Sequence, residues 1–292
     1  MPTLSAPTAQ FDYELIDSGN EQKLERFGSY TLIRPEPKAI WKPELDSRQW
    51  QMAQGTYVKK PTGGYWKWKG TVPSSWLIRR TDLSFVLKPT SFKHVGIFPE
   101  QEPVWQWIQT KVQTAGRPVR MLNLFGYTGA ATVAALKAGA QVTHVDASKE
   151  SITWANENVK QNRLEGKPVR WIVDDVGKFV KRELNRGSKY DAILMDPPKF
   201  GRGVDGQVWK LEEDLPKLLS LCSSILESKP LFFFINAYAI QLSSFSLVNI
   251  LSQTMKPSRG IVDGGELVLE PKNKTYPLST TIFARWEGEN VK

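Results

Sequence analysis

Cysteine and histidine are scarce in this chain of 292 residues, which has Cys222, His94 and His144 and no others. A lone thiol excludes an internal disulfide and a thiolate metal cluster, and two imidazoles are too few for an evident ligand set, so no metal is expected. Long apolar runs are also missing. The longest, LFFFINAYAI at 231–240, is about half of what a bilayer span requires and reads as a buried strand. The opening residues lack a basic stretch followed by an apolar run, so no secretory signal is expected and the cytoplasm is the expected address. Acids are outnumbered, 30 against 39 lysines and arginines, for a net charge of +9. That excess favours polyanionic partners such as RNA, although solubility alone would also account for it.

What is present falls into two textures. Residues 1–20 hold Pro2, Ser5, Pro7 and Thr8 without periodicity and read as a loose tail. From 21 to 95, short apolar pieces (YTLI at 30–33, YWKWKG at 65–70, SWLIRR at 75–80, LSFVLKP at 83–89) alternate with Pro and Gly, which predicts a small β-rich module. Beyond 96 the texture changes. A helix is predicted over 100–115, then strands at 119–125, 141–147, 169–173, 190–196 and 231–236. Helices are predicted between them at 130–139, 149–162, 176–187 and 215–226. That rhythm specifies an α/β fold, a doubly wound, mostly parallel Rossmann-like sheet covered by helices on both faces.

Ligands of such sheets bind beyond the carboxyl ends of the strands, and suggestive residues fall there in order. The first strand, with Asn123 near its end, runs into Phe125, Gly126, Tyr127, Thr128 and Gly129, whose glycines permit a tight turn and close ligand approach. Asp146, followed by Ala147 and Ser148, ends the second strand, where a carboxylate can accept from ribose hydroxyls. Asp174 and Asp175 end the third, within reach of an adenine amino group. Each alone has a plain structural reading, a tight turn or a helix cap; together they point to a nucleoside site. GYTG lacks the G-x-G-x-x-G spacing that approaches a pyrophosphate.

DPPKF at 196–200 follows the fourth strand. Its prolines stiffen the turn and lack N–H groups, leaving nearby carbonyls as acceptors, so that Asp196 and a proline carbonyl could hold a planar base. An ordinary Asp-Pro-Pro turn is the alternative.

LNLFGYTGAATVAALKAGAQVTHVDAS, DDV at 174–176 and MDPPKF at 195–200 resemble the class I methyltransferases that modify bacterial large-subunit ribosomal RNA. The resemblance covers roughly 94–240. It implies S-adenosyl-L-methionine as cofactor, a ligand with ribose and adenine but no phosphate. It assigns Gly126 and Gly129 to the methionine side, Asp146 to ribose, Asp175 to adenine and Asp196, Pro197, Pro198, Lys199 and Phe200 to the reaction loop. HVGIFPEQ resembles the family's approach segment, T-G-x-F-L-D-x-R, but departs from it at Pro99, Glu100 and Gln101. Members that make 5-methylcytosine carry a cysteine nucleophile after the strand matched by LFFFIN. Asn236 stands there, as in the 7-methylguanine branch, and Cys222 reads as a small buried hydrophobe. A base nitrogen, guanine preferred, is therefore the expected acceptor.

Between 55 and 93, eight basic residues face one acid, Asp82, and Tyr57, Tyr65, Trp66, Trp68 and Trp76 are interleaved among them. Lys59, Lys60, Lys67, Lys69, Arg79 and Arg80 are the candidate RNA contacts, with the aromatics as stacking platforms. A β module with aromatics inside and lysines outside explains the alternation as well. The competing functions are a methyltransferase acting on a protein or small molecule, an RNA cytosine-C5 methyltransferase, and an RNA-binding protein without catalysis.

Overall fold

Alternating burial drives the first third of the chain into strands. In this computed structural model, which describes residues 3–6, 10–202, 206, 208–238, 242–272 and 275–289, they are β1 (Thr3–Ala6), β2 (Tyr13–Gly19), β3 (Gln22–Phe27) and β4 (Tyr30–Pro35). A short helix α1 (Ser47–Gln51) precedes β5 (Gly55–Lys59), β6 (Gly64–Trp68), β7 (Trp76–Arg80) and β8 (Leu83–Leu87). The expected tail therefore contains two strands; residues 1–2 and 7–9 lie outside the described residues. In β2 the buried residues Tyr13, Leu15 and Asp17 recur with period two, a pattern disguised in the sequence by Asp17, which is polar yet buried.

Strands β2 to β8 belong to the smaller of two units, Ser5–Pro103 with Val268–Thr280, whereas β1 joins the larger sheet. The expected boundary at 95 lies later, and a C-terminal segment returns to this unit. Its main sheet has the order β2-β3-β4-β5-β6, with β4 and β5 parallel and the other pairs antiparallel. Charged residues occupy one buried face. Arg34 donates to both oxygens of Glu25 at 2.7 Å, Tyr13 Oη donates to Glu25 at 2.8 Å, and Lys23 lies 3.5 Å from Glu25 and 3.6 Å from Glu36. Burial opposes the Glu25 charge, but Arg34 and Lys23 outweigh it and bring the carboxyl down to about 2.

After a 3-10 turn at Pro99–Gln101 come α2 (Glu102–Thr114), β9 (Arg120–Leu124), α3 (Ala130–Lys137), β10 (Gln141–Asp146), α4 (Lys149–Gln161), β11 (Val169–Val173), α5 (Val176–Asn185) and β12 (Ala192–Met195). A hairpin, β13 (Phe200–Arg202) and β14 (Val208–Lys210), leads into α6 (Leu211–Ser224). Then follow β15 (Phe232–Tyr238), α7 (Ser244–Met255), β16 (Gly260–Leu269) and β17 (Leu278–Gly288). The last two residues of the predicted apolar run, 239–240, lie outside the described residues. Helix α6 starts at Leu211 rather than 215, because Glu212, Glu213 and Asp214 complement the positive end of its dipole while Pro216 falls inside it.

The larger sheet has the order β1-β16-β17-β15-β12-β9-β10-β11. β15, β12, β9, β10 and β11 are mutually parallel, and β17 is antiparallel to β15. The strand order reverses between β9 and β12, the switch point beyond which a doubly wound sheet opens a crevice. Val180, Leu219, Phe233 and Leu247 are among the fully buried side chains of the core that holds those strands. Among the described residues no helix is long and apolar enough to cross a membrane.

Candidate active site

Register brings the strand ends to one level. Leu124 pairs with Val145 on one side and with Met195 on the other, Asp146 pairs with Val173, and Met195 pairs with Ile235. Phe125, Asp146, Asp174 and Asp196 thus emerge at the same edge of the sheet, with the switch point between Phe125 and Asp196, and Asn236 is level with Asp196.

The turn after β9 is tight. Phe125 (φ 56°), Tyr127 (φ 49°) and Gly129 (φ 81°) adopt left-handed conformations, and Gly129 N donates to Gly126 O at 3.0 Å. Glycine at 126 is required for a reason other than ligand approach. A Cβ there would lie 2.4 Å from His144 Cε1, so the imidazole fills the space beside the turn. Asn123 Nδ2 donates to Thr132 Oγ1 at 2.9 Å, and that hydroxyl lies 2.9 Å from His144 Nδ1. Asn123, Thr132 and His144 thus form a buried polar chain behind the turn. Burial holds the His144 pKa down to about 3, with the Tyr127 backbone opposing, so the ring is neutral. Asn123 and Thr128, expected beside the cofactor, are both 2% exposed. Asn123 supports α3 through Thr132, and the Thr128 carbonyl accepts from Asn158 Nδ2 at 2.8 Å.

The carboxylates are held before any ligand arrives. Asp146 Oδ2 accepts from Tyr127 N at 2.9 Å and Oδ1 from Ser148 N at 2.8 Å, which leaves a further lone pair on each oxygen. Burial pushes this carboxyl's pKa up, while those two N–H groups pull it down. Half-buried Ala147 lies between, and the Ser148 hydroxyl caps α4 by accepting from Ser151 N. Asp174 uses one oxygen for Asp175 N and pairs the other with Arg182. Asp175 caps α5, its Oδ1 accepting from Lys178 N at 2.8 Å.

Across the switch point, Asp196 N donates to Leu124 O at 3.3 Å. Pro197 is buried, and Pro198 and Phe200 are exposed. The Lys199 ammonium lies 5.7 Å from the centre of the Phe200 ring. The hairpin β13–β14 braces this loop: Trp209 Nε1 donates to Pro198 O at 2.7 Å, and the Trp209 ring is 5.2 Å from that of Phe125. Trp209 therefore touches both motifs; one tryptophan in VWK was too slight a signal to single it out. Asn236 is buried inside β15 rather than at its end, because the strand runs on to Tyr238. Cys222 is wholly buried on α6, its thiol pushed well above the ordinary range. Among the described residues no group of three or more His, Cys, Asp or Glu side chains is placed to hold a metal.

The family description "S-adenosylmethionine-dependent methyltransferase" matches residues 47–250. The chain belongs to that family. It is 29% identical over 163 residues to ribosomal RNA large subunit methyltransferase K/L of Syntrophotalea carbinolica, covering 55% of this chain and 22% of that protein. It is 45% identical over 82 residues to ribosomal RNA large subunit methyltransferase I of Escherichia coli O139:H28, covering 28% and 21%. The chain thus spans about a fifth of the length of these curated relatives. A crystal structure of a SAM-dependent methyltransferase from Agrobacterium tumefaciens is 44% identical, with a TM-score of 0.95, covering 99% of this chain and 94% of that one.

The methyltransferase site fits the cofactor of its family. Two fixed carboxylates at adjacent strand ends match a ribose diol and an adenine amine, and the turn offers backbone without a phosphate-binding arrangement.

Within the smaller unit of this methyltransferase, the expected RNA contacts divide. Lys59, Lys60, Lys67, Lys69 and Arg79 are exposed. Arg80 is not: it is 6% exposed, and its Nε donates to Glu102 at 2.6 Å, so its charge is spent inside the unit. Trp66 and Trp68 stack on each other at 5.1 Å, Trp66 Nε1 donates to Thr90 O, and the Trp68 ring lies over Gly55. These tryptophans are packing groups. Tyr65 and Lys67 point to the opposite face of β6 and remain exposed.

Proposed function

We propose that this methyltransferase methylates a base nitrogen of RNA, ribosomal RNA being the preferred substrate and guanine the preferred base. The observation that carries the reading is the pairing, at one switch point, of the Phe125–Gly129 turn with the Asp196–Phe200 loop. Bound S-adenosyl-L-methionine supplies an electrophilic methyl group. Asp146 would hold its ribose through the remaining lone pairs. Asp175 is taken for the adenine amine, since the Asp174 charge is tied to Arg182 by an ion pair.

On the acceptor side, Trp209 fixes the Pro198 carbonyl, and the Asp196 carboxylate with a proline carbonyl of this loop would hold the base. The exposed Phe200 ring offers a stacking surface. A guanine N7 has its lone pair in place and gives up no proton, so the loop has only to position it. Asn236, level with Asp196, lies buried within β15. Carbon methylation at cytosine C5 needs a thiolate, and the sole cysteine is buried and protonated. The names of the two curated relatives support ribosomal RNA, and a cytoplasmic address goes with this reading.

Incubation with methyl-labelled cofactor and large-subunit ribosomal RNA, followed by digestion and mass spectrometry, tests it. The expected product carries the label on a base nitrogen and disappears with Asp196→Ala. Label on a base carbon, or on protein alone, would overturn the reading.

A further inference from the structure

The face of the smaller sheet opposite its buried ion pairs carries a cleft of about 430 Å³, within the range of pockets that enclose small ligands. Ile33 and Thr56 form its floor, Leu45 and Trp50 a wall, and Gln22 and Lys69 lie at its rim. The wall is built in advance. Asp17, 4% exposed, accepts from Ser18 N (2.8 Å), Glu44 N (3.3 Å), Leu45 N (2.9 Å) and Trp50 Nε1 (2.9 Å). One buried carboxylate thereby pins the 44–50 segment, and a capping box between Asp46 and Gln49 starts α1.

Cations and a ring follow along the same face. The Lys69 ammonium is anchored on the Gln51 carbonyl, which leaves two of its three donors. Lys67 stands opposite Thr56 in the β5–β6 register and shares its face. Two residues earlier on that face is the exposed ring of Tyr65, with the Lys60 ammonium 4.9 Å from its centre. Apolar walls edged by amide and hydroxyl groups suit a planar heterocycle with donors and acceptors, and a row of lysines beside them suits phosphates.

We infer that this cleft is a second RNA subsite, which takes one unstacked nucleobase of a single strand while Lys69 and Lys67 hold the adjoining phosphates. The inference rests on the RNA reading above. It adds a place where substrate is gripped away from the reacting base, and it takes over the role first expected of Trp66 and Trp68.

Binding of a fluorescein-labelled oligouridylate to the full chain, followed by anisotropy across a salt series, tests it. Gln22→Trp and Thr56→Tyr, which fill the cleft, should each weaken binding about tenfold. Lys69→Gln should lower the slope of log affinity against log salt by about one. Thermal unfolding and cofactor titration verify that each variant is folded. Should Thr56→Tyr not fold, Gln22→Trp still decides, because it lies at an exposed strand position that suits an aromatic. Wild-type affinity in the filled variants overturns the cleft alone if the unaltered chain binds and methylates RNA. If the unaltered chain neither binds nor methylates RNA, the reading beneath it falls too.

Discussion

In the larger unit the acids of the candidate site stand where strands end, while β12 and the first four residues of β15 are apolar and wholly buried. In the smaller unit Lys23, Glu25 and Arg34 lie inside the packing of a sheet. The first arrangement keeps charge at the rim, where a ligand can meet it. The second uses charge to define the interior, and the recognition proposed for it falls on an outer face. A parallel sheet gathers its strand ends at one edge, so a chemical site there is a product of topology; an antiparallel sheet has no such edge and must recognise across a surface.

The largest expected effect tests the buried charges. Glu25→Gln leaves Arg34 and Lys23 facing a neutral amide and should cost about 3–5 kcal/mol in chemical denaturation. The acid response follows the same group. The carboxyl titrates at about 2 when folded against an ordinary 4.5, so its stabilisation is complete above 4.5 and is lost as pH falls toward 2. Glu25→Gln should flatten that loss, and an unchanged acid limb would dissolve the contrast between the units.

Next in size is Asp146→Ala. Loss of two charge-assisted hydrogen bonds should weaken cofactor binding about a hundredfold by calorimetry, with oligouridylate binding retained. Equal damage to both ligands would mean that the rim carboxylate serves architecture rather than recognition.

Gly126→Ala should destabilise the chain by roughly 1–3 kcal/mol through overpacking against His144. In a His144→Ala background the added penalty should shrink, which a double-mutant cycle on unfolding would measure. Strict additivity would show that the turn has another reason for its glycine.

A last comparison, in which Lys67→Glu has the smallest effect, separates two basic positions that look alike in the sequence. Lys67→Glu should weaken RNA binding severalfold and flatten its salt dependence without a change in unfolding midpoint. Arg80→Gln should instead lower the midpoint, since Glu102 would remain buried beside a neutral side chain.

Much of the larger unit was legible because its period changes from two to about 3.6 with each element, and because topology forces Asp146, Asp175 and Asp196 to a common edge. The β2 strand was not legible, since Asp17 and Ser18 are polar yet buried and the partners are distant in sequence: Tyr13 meets Glu25, and Asp17 meets Trp50. Arg80 was misread because Glu102, 22 residues away, completes it only after folding. YWKWKG contained both readings of its aromatics, and pairing of β6 with β5 decided between them. Trp209 stayed hidden because its hydrogen bond to Pro198 depends on a hairpin that composition does not announce.

The contact between Gly126 and His144 has a consequence for inheritance. The two positions share one volume, so a methyl group at 126 is better tolerated where the residue at 144 is smaller. A relative with alanine at the first position is expected to carry a smaller residue at the second.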